Sequence, residues 1–244
     1  MIVAIHQPNY LPWLGYFNKM HQADVFIFLD NVKFSKGSYT NRVRILSSKG
    51  PRWLTVPVKV KMGQKIFDVK PSRHGWQRSH IDLLRNEYAK AGQFARILPE
   101  LKEELVALPE GNIAEINIML IRTLASRLGI QTIFMRSSEM KASGKDDERL
   151  INLVKSVAGV ATYLSGRGAA KYQDPAKFSD AGLGFEYIQF EHPEYDQGDG
   201  KFEPGLSVID CLLRHGWETT SELIKKVVPL QCQTYQNLSS LFFS

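Results

Sequence analysis

His6, Gln7, Tyr10 and Trp13 crowd one short loop between the apolar run Ile2-Val3-Ala4-Ile5 and a helix-compatible segment from Trp13 to Ala23. An imidazole directly after a strand can act as general acid/base near neutrality or donate to a phosphate, unless neighbouring backbone claims it. Gln7 offers an amide for recognising a base or substrate, and Pro8 and Pro12 stiffen the loop so that its backbone groups stay aimed. Tyr10 and Trp13 are plates for a base or sugar, or alternatively caps of the core. Gly15 lets a ligand or another backbone come close to the helix start, where anions are also favoured. Lys19 follows about a turn later and reaches either a phosphate or solvent. Asp30 ends the second apolar run, Val25 to Leu29. A carboxylate there can hold a ribose hydroxyl or a metal, or cap a turn. His6, Lys19 and Asp30 are the candidate catalytic residues.

Further candidates sit where other strands should end. Lys36 and Arg42, with Lys33, form an electropositive rim after Asp30, and Ser138 follows a third strand. Ser165-Gly166-Arg167-Gly168 is a glycine turn between a strand and a helix, where successive N–H groups can cradle an anion, with Lys171 just beyond. It lacks the glycine spacing of a P-loop or of a dinucleotide fingerprint. No Cys/His metal spacing, nucleophile elbow or His-Glu-x-x-His occurs, so no metal centre is expected.

The elements that must carry these residues alternate. Strand runs at 2–5, 25–29, 131–136, 161–164 and 185–190 are separated by helical periodicity, which predicts a mostly parallel, Rossmann-like α/β sheet with helices on both faces. Ligands then bind outside the carboxyl ends of the strands, and the candidates above should converge there. Residues 31–130 read as an insertion. Two β-rich runs, Trp53 to Val58 and Ile66 to Val69, flank a Met62-Gly63 turn as a hairpin, and helices follow from Trp76, from a segment that starts or bends at Pro99, and from Asn112 to Arg127. Asn112 with Glu115 is a capping box. A short helix is expected to end near Pro175 and another to span Pro204 to His215. Residues 1–230 form one domain and 231–244 a frayed tail.

A chain of 244 residues, 43% hydrophobic and 23% charged, is an ordinary globular composition. No apolar run approaches a membrane span, and the opening lacks the basic region of a signal peptide. Cys211 and Cys232 could pair, but without a secretory signal they read as free thiols in a reducing compartment, so a cytoplasmic location is expected. The net charge of +6 favours an anionic partner or means nothing specific. The Lys33–Arg44 stretch is too short and mixed for nucleic-acid binding. The expected partners are a nucleotide or sugar-nucleotide substrate and a second copy of the chain.

The string Ile5-His6-Gln7-Pro8-Asn9-Tyr10-Leu11-Pro12-Trp13-Leu14-Gly15-Tyr16-Phe17, with Trp53 to Val58, Tyr163-Leu164-Ser165-Gly166 and Phe202-Glu203-Pro204-Gly205-Leu206-Ser207, resembles the WbqC-like family to about residue 226. That resemblance implies a cytoplasmic bacterial protein encoded with surface-polysaccharide (O-antigen) genes. More distantly, the first β-loop-α unit is similar to that of adenylate-forming and nucleotidyl-transferring enzymes with a His-x-Gly-His signature, although Trp13-x-Gly15-Tyr16 keeps only the glycine. Ser137-Ser138 with Arg149 resembles their second phosphate-binding segment. This likeness implies ATP or another nucleotide with Mg2+ as cofactor. The expected function is an acyl or aminoacyl transferase, or a ligase, forming an amide on an amino sugar or sugar nucleotide. The alternative is a non-catalytic nucleotide-sugar or glycan-binding accessory protein.

Overall fold

The computed structural model describes residues 1–198 and 200–226. The expected tail, with Cys232, lies outside them. Five parallel strands form the central sheet: β1 (Ile2–His6), β2 (Val25–Phe28), β5 (Ile133–Arg136), β6 (Thr162–Ser165) and β7 (Gly184–Tyr187), in the order β5-β2-β1-β6-β7. β1 is central, registered His6 to Phe28 on one side and Ile2 to Thr162 on the other. Its side chains alternate. Val3 and Ile5 pack with Val25, Ile27 and Tyr163 under α5 (Asp146–Val157) and α6 (Pro175–Asp180). Ala4 packs with Phe26, Phe28 and Leu164 on the opposite face, against α1 (Leu14–His21) and α7 (Val208–Lys225). Being covered on both faces explains why these strands read as unbroken apolar runs.

Between β2 and β5 lie a hairpin, β3 (Arg42–Ser47) and β4 (Gly50–Thr55), and the helices α2 (Trp76–Tyr88), α3 (Phe94–Val106) and α4 (Ile113–Arg127). Their apolar faces join the α1/α7 side of the sheet in one continuous core. Asn112 and Glu115 make the expected reciprocal cap of α4. No helix among the described residues is long and apolar enough to cross a membrane.

Several expectations of detail are corrected. The hairpin pairs 42–47 with 50–55, and Ile66–Asp68 is a single 3-10 turn rather than a strand. Arg42 and Arg44 flank the fully buried Val43 and Ile45, so outward charges disguised a half-buried strand as a polar loop. Pro99 lies inside α3, which starts at Phe94. Pro175 begins α6 behind the Asp174 cap rather than ending a helix. α7 runs past His215 by breaking at Gly216, whose φ of 80° only glycine adopts readily.

Candidate active site

The strand order reverses between β1 and β6, and a cleft of about 600 Å3 opens there at the carboxyl ends. Its location follows the rule for open α/β sheets, and its size suits a small molecule. One wall is the loop after β1 with the start of α1. The other is the turn Ser165–Ala169 and the segment Ile188–His192, which follows β7.

His6 ends β1 with its ring 4.8 Å from that of Tyr16 and 6.1 Å from that of Trp13. Its Nδ1–H donates to the Gln7 carbonyl at 3.0 Å. That bond fixes the neutral tautomer with the proton on Nδ1 and the lone pair on Nε2. Burial, reinforced by nearby Lys19, lowers the imidazole to about 3, so it is uncharged at neutral pH. Lys19 is 3% exposed, yet it is among the residues lining the cleft, and its Nζ donates to the Ile5 carbonyl at 2.8 Å. Desolvation lowers the ammonium to about 7. Arg167 and His192 add positive or neutral groups, and no Asp or Glu is among the residues that line the cleft.

The loop itself is held from every direction. Tyr16 Oη donates to the Gln7 carbonyl at 3.1 Å, and Asn117 Nδ2 on α4 donates to the Pro8 and Thr40 carbonyls at 2.8 and 2.7 Å. Ser207 Oγ, at the start of α7, donates to the Leu11 carbonyl at 2.7 Å. Leu11 has φ 41°, a left-handed conformation that costs a non-glycine residue about 1 kcal/mol or more. The bonds on either side of it hold that strain in place.

The cleft thus collects His6, Gln7, Trp13, Gly15, Lys19, Ser165 and Gly166 from the sequence candidates. Gly15 makes a close approach, but to an aromatic ring of the same chain: an added Cβ would lie 2.7 Å from the Phe190 ring. Pro8 and Tyr10 lie behind the loop. Tyr10 is fully buried, and its hydroxyl donates to His80 Nδ1 at 2.9 Å while His80 Nε2 donates to the Thr55 carbonyl at 3.0 Å. Lys36 and Lys171 are exposed, the latter over the Tyr172 ring. Arg42 stacks on Trp53 at 4.0 Å.

Asp30 is in a different place. It is completely buried, and its Oδ1 accepts from Ser137 Oγ (3.0 Å) and Ser138 N–H (2.9 Å). Its Oδ2 accepts from Ser138 Oγ (2.7 Å) and Arg136 Nε (3.0 Å), and Arg149 bonds the adjoining Asn31. The strand ends therefore form two clusters, with Asp30, Ser138 and Arg149 at β2/β5 and His6 with Ser165 at β1/β6. Mg2+ in nucleotide sites is usually held by one or two carboxylates with the phosphates. The cleft residues fit phosphate and a flat ring but offer no carboxylate for a protein-held Mg2+. Among the described residues no group of three or more His, Cys, Asp or Glu side chains gathers as a metal site.

Sequence reasoning assigned no role to Tyr39, Phe190, His192 or Asn117. Tyr39 and His192 sit in polar stretches without periodicity, and Asn117 is one polar residue within an apolar helix. A buried Asn amid Ile113, Ile116, Ile118 and Leu120 was the available signal.

The family string of the loop is thus the cleft's best-ordered wall, and the comparison of whole chains agrees with it. The model of the WbqC-like protein family matches residues 7–222. The chain belongs to the WbqC-like family. A similar protein is "Uncharacterized protein Rv1507c" of Mycobacterium tuberculosis (strain ATCC 25618 / H37Rv), 34% identical over 91% of this chain and 96% of the relative. No solved structure matches significantly. The span matched by the WbqC-like model takes in the cleft residues from Gln7 through Gly166 to His192, and begins one residue after His6.

Proposed function

We propose that this WbqC-like protein transfers an acyl or aminoacyl group to the amine of an amino sugar or sugar nucleotide in surface-polysaccharide biosynthesis, through an adenylate. The observation that carries the reading is the neutral His6, tied through Nδ1 to the Gln7 carbonyl, in the lining of a cleft without carboxylates. In the first step a donor carboxylate attacks the α-phosphorus of ATP and pyrophosphate leaves. In the second the amine attacks the acyl carbon, AMP leaves with its phosphate taking the amine proton, and His6 Nε2 accepts a hydrogen bond that orients the attacking amine as the C–N bond forms. Lys19 and Arg167 face the phosphate charge, and Trp13, Tyr39 and Phe190 are the walls available to a base or sugar ring. In this reading Asp30 braces β2 against β5 instead of touching the ribose, and any Mg2+ travels on the nucleotide. A cytoplasmic setting and a homodimer belong to the same proposal. ATP–pyrophosphate exchange that depends on an added carboxylic acid is the test. Absence of nucleotide binding by calorimetry overturns it.

A second reading, a non-catalytic nucleotide-sugar or glycan-binding accessory, is favoured by the aromatic shelf that runs from the cleft wall out to Trp53. Tyr39 lies 5.1 Å from Trp13 and 5.7 Å from Trp53, and Tyr39 and Trp53 are 38% and 40% exposed. That reading predicts ligand binding that survives His6→Ala, with turnover in neither form.

A further inference from the structure

Lys19 presents a dilemma that burial alone cannot resolve. An ammonium has three donors, and the structure gives this one a single partner, the Ile5 carbonyl. It forms no ion pair with any described carboxylate, although it is almost wholly removed from water. A buried cation without a counter-charge costs several kcal/mol, so such a group either loses its proton or acquires an anion. The cleft supplies space for an anion and nothing in the protein to replace it.

The neighbours make the choice sharper. The titratable groups sharing the cleft are His6 from β1, Tyr16 from α1 itself, Tyr39 from the insertion, Tyr163 and Arg167 from β6 and its turn, and His192 beyond β7. None is an acid at neutral pH. α7, packed on α1, brings Lys225 close to His21 at the end of the same helix, which is again a cation. The field at Lys19 therefore favours arrival of negative charge from outside and, until it arrives, loss of the ammonium proton.

We infer that Lys19 is a proton-coupled anion receptor, taking up one proton from water when the phosphate or carboxylate group of the substrate enters the cleft. The inference rests on the proposed reading only in supposing that the cleft takes an anionic substrate. The step is simple in balance: the neutral amine binds a solvent proton, and the ammonium so formed pairs with the anion. The site is thereby selective. It admits an anion at the cost of one proton, rejects a cationic ligand at low pH, and binds its anion more weakly as the pH rises above the midpoint of the free amine.

The test is NMR of the full chain labelled at lysine Cε, with inorganic pyrophosphate and ATP as separate probes. In the free protein one lysine signal, absent from Lys19→Met, titrates with a midpoint about 7. Saturation with pyrophosphate moves that midpoint upward by about two pH units or more. Calorimetry at pH 8 in buffers of different ionisation enthalpy then shows proton uptake that Lys19→Met lacks. A Lys19 midpoint unmoved by either saturating probe overturns the inference, and if ATP binds in that experiment the nucleotide reading stands without it. A midpoint raised by pyrophosphate with no ATP binding leaves the receptor and removes the nucleotide. Failure of both probes to bind removes both.

Discussion

Asn117 on α4 donates both amide hydrogens to carbonyls of other segments, reaching Pro8 in the loop after β1 at 2.8 Å. The helix that the sequence marks as core is therefore also the back support of the candidate active site, since its second bond holds Thr40 beside the cleft-lining Tyr39. Replacing Asn117 by Leu leaves two buried carbonyls unpaired, which costs about 2–4 kcal/mol in chemical denaturation. Ligand affinity should fall as well, although Asn117 itself does not line the cleft. A variant with normal affinity and reduced stability would show that the loop holds its shape without this bond.

His6→Gln separates binding from chemistry. Glutamine can keep a polar contact to the loop but does not present an acceptor where Nε2 does, so ATP affinity should change less than about five-fold while transfer falls by about 100-fold or more. Because the wild-type ring is neutral across pH 5–9, the transfer rate should show no inflection near the ordinary histidine value of 6.5. Steady-state rates across that range check it.

Gly15→Ala should push the Phe190 ring out of the cleft wall, since the new Cβ would fall 2.7 Å from it. Weakened ligand binding is expected, and the double variant Gly15→Ala/Phe190→Leu should recover part of the loss. Calorimetric titration of both variants decides whether the steric contact is the cause.

Asp30→Asn tests the placement of the second cluster. It removes the charge facing Arg136 and spoils acceptance from Ser137 and Ser138, so unfolding should become easier by about 3 kcal/mol. Nucleotide affinity should move little. A selective loss of affinity for ribose-containing ligands over pyrophosphate would return Asp30 to the site.

Stability should depend on pH at two places. His6 and His80 are held at about 3 and about 4, below their unfolded value of 6.5, so their contribution is complete above pH 6.5 and is lost as the pH falls toward 4 and 3. Lys19, lowered from 10.5 to about 7, contributes fully above pH 10.5 and loses that contribution between 10.5 and 7. Lys19→Met should abolish the upper slope and raise the melting temperature at pH 7, a stabilising change at the expense of binding. Thermal denaturation from pH 4 to 10 measures both arms.

The parallel sheet and the cleft's position were readable because buried strands give unbroken apolar runs and because ligands in such sheets sit where the strands end. What escaped was set by partners distant in sequence. Tyr10 looks like a ligand plate until His80, from α2, takes its hydroxyl. Asp30 looks like a ribose acceptor until Ser137, Ser138 and Arg136 surround it. Lys19 is a candidate for which the sequence leaves phosphate and solvent both open, because a helix of eight residues does not announce that it is buried along most of its length. The β3 strand was hidden for the opposite reason: its outward arginines dominate a pattern whose inward half is only Val43 and Ile45.

The central position of β1 has a consequence for how the protein is made. One edge of β1 pairs with β2 soon after synthesis, but the other waits for Thr162–Ser165. At ordinary translation speeds the wait is roughly seven to thirty seconds. During that interval a ribosome-bound chain carries an open, apolar strand edge and only half of its cleft. The same strand order that creates the binding site therefore predicts that fragments stopping before β6 aggregate, a result that light scattering would check.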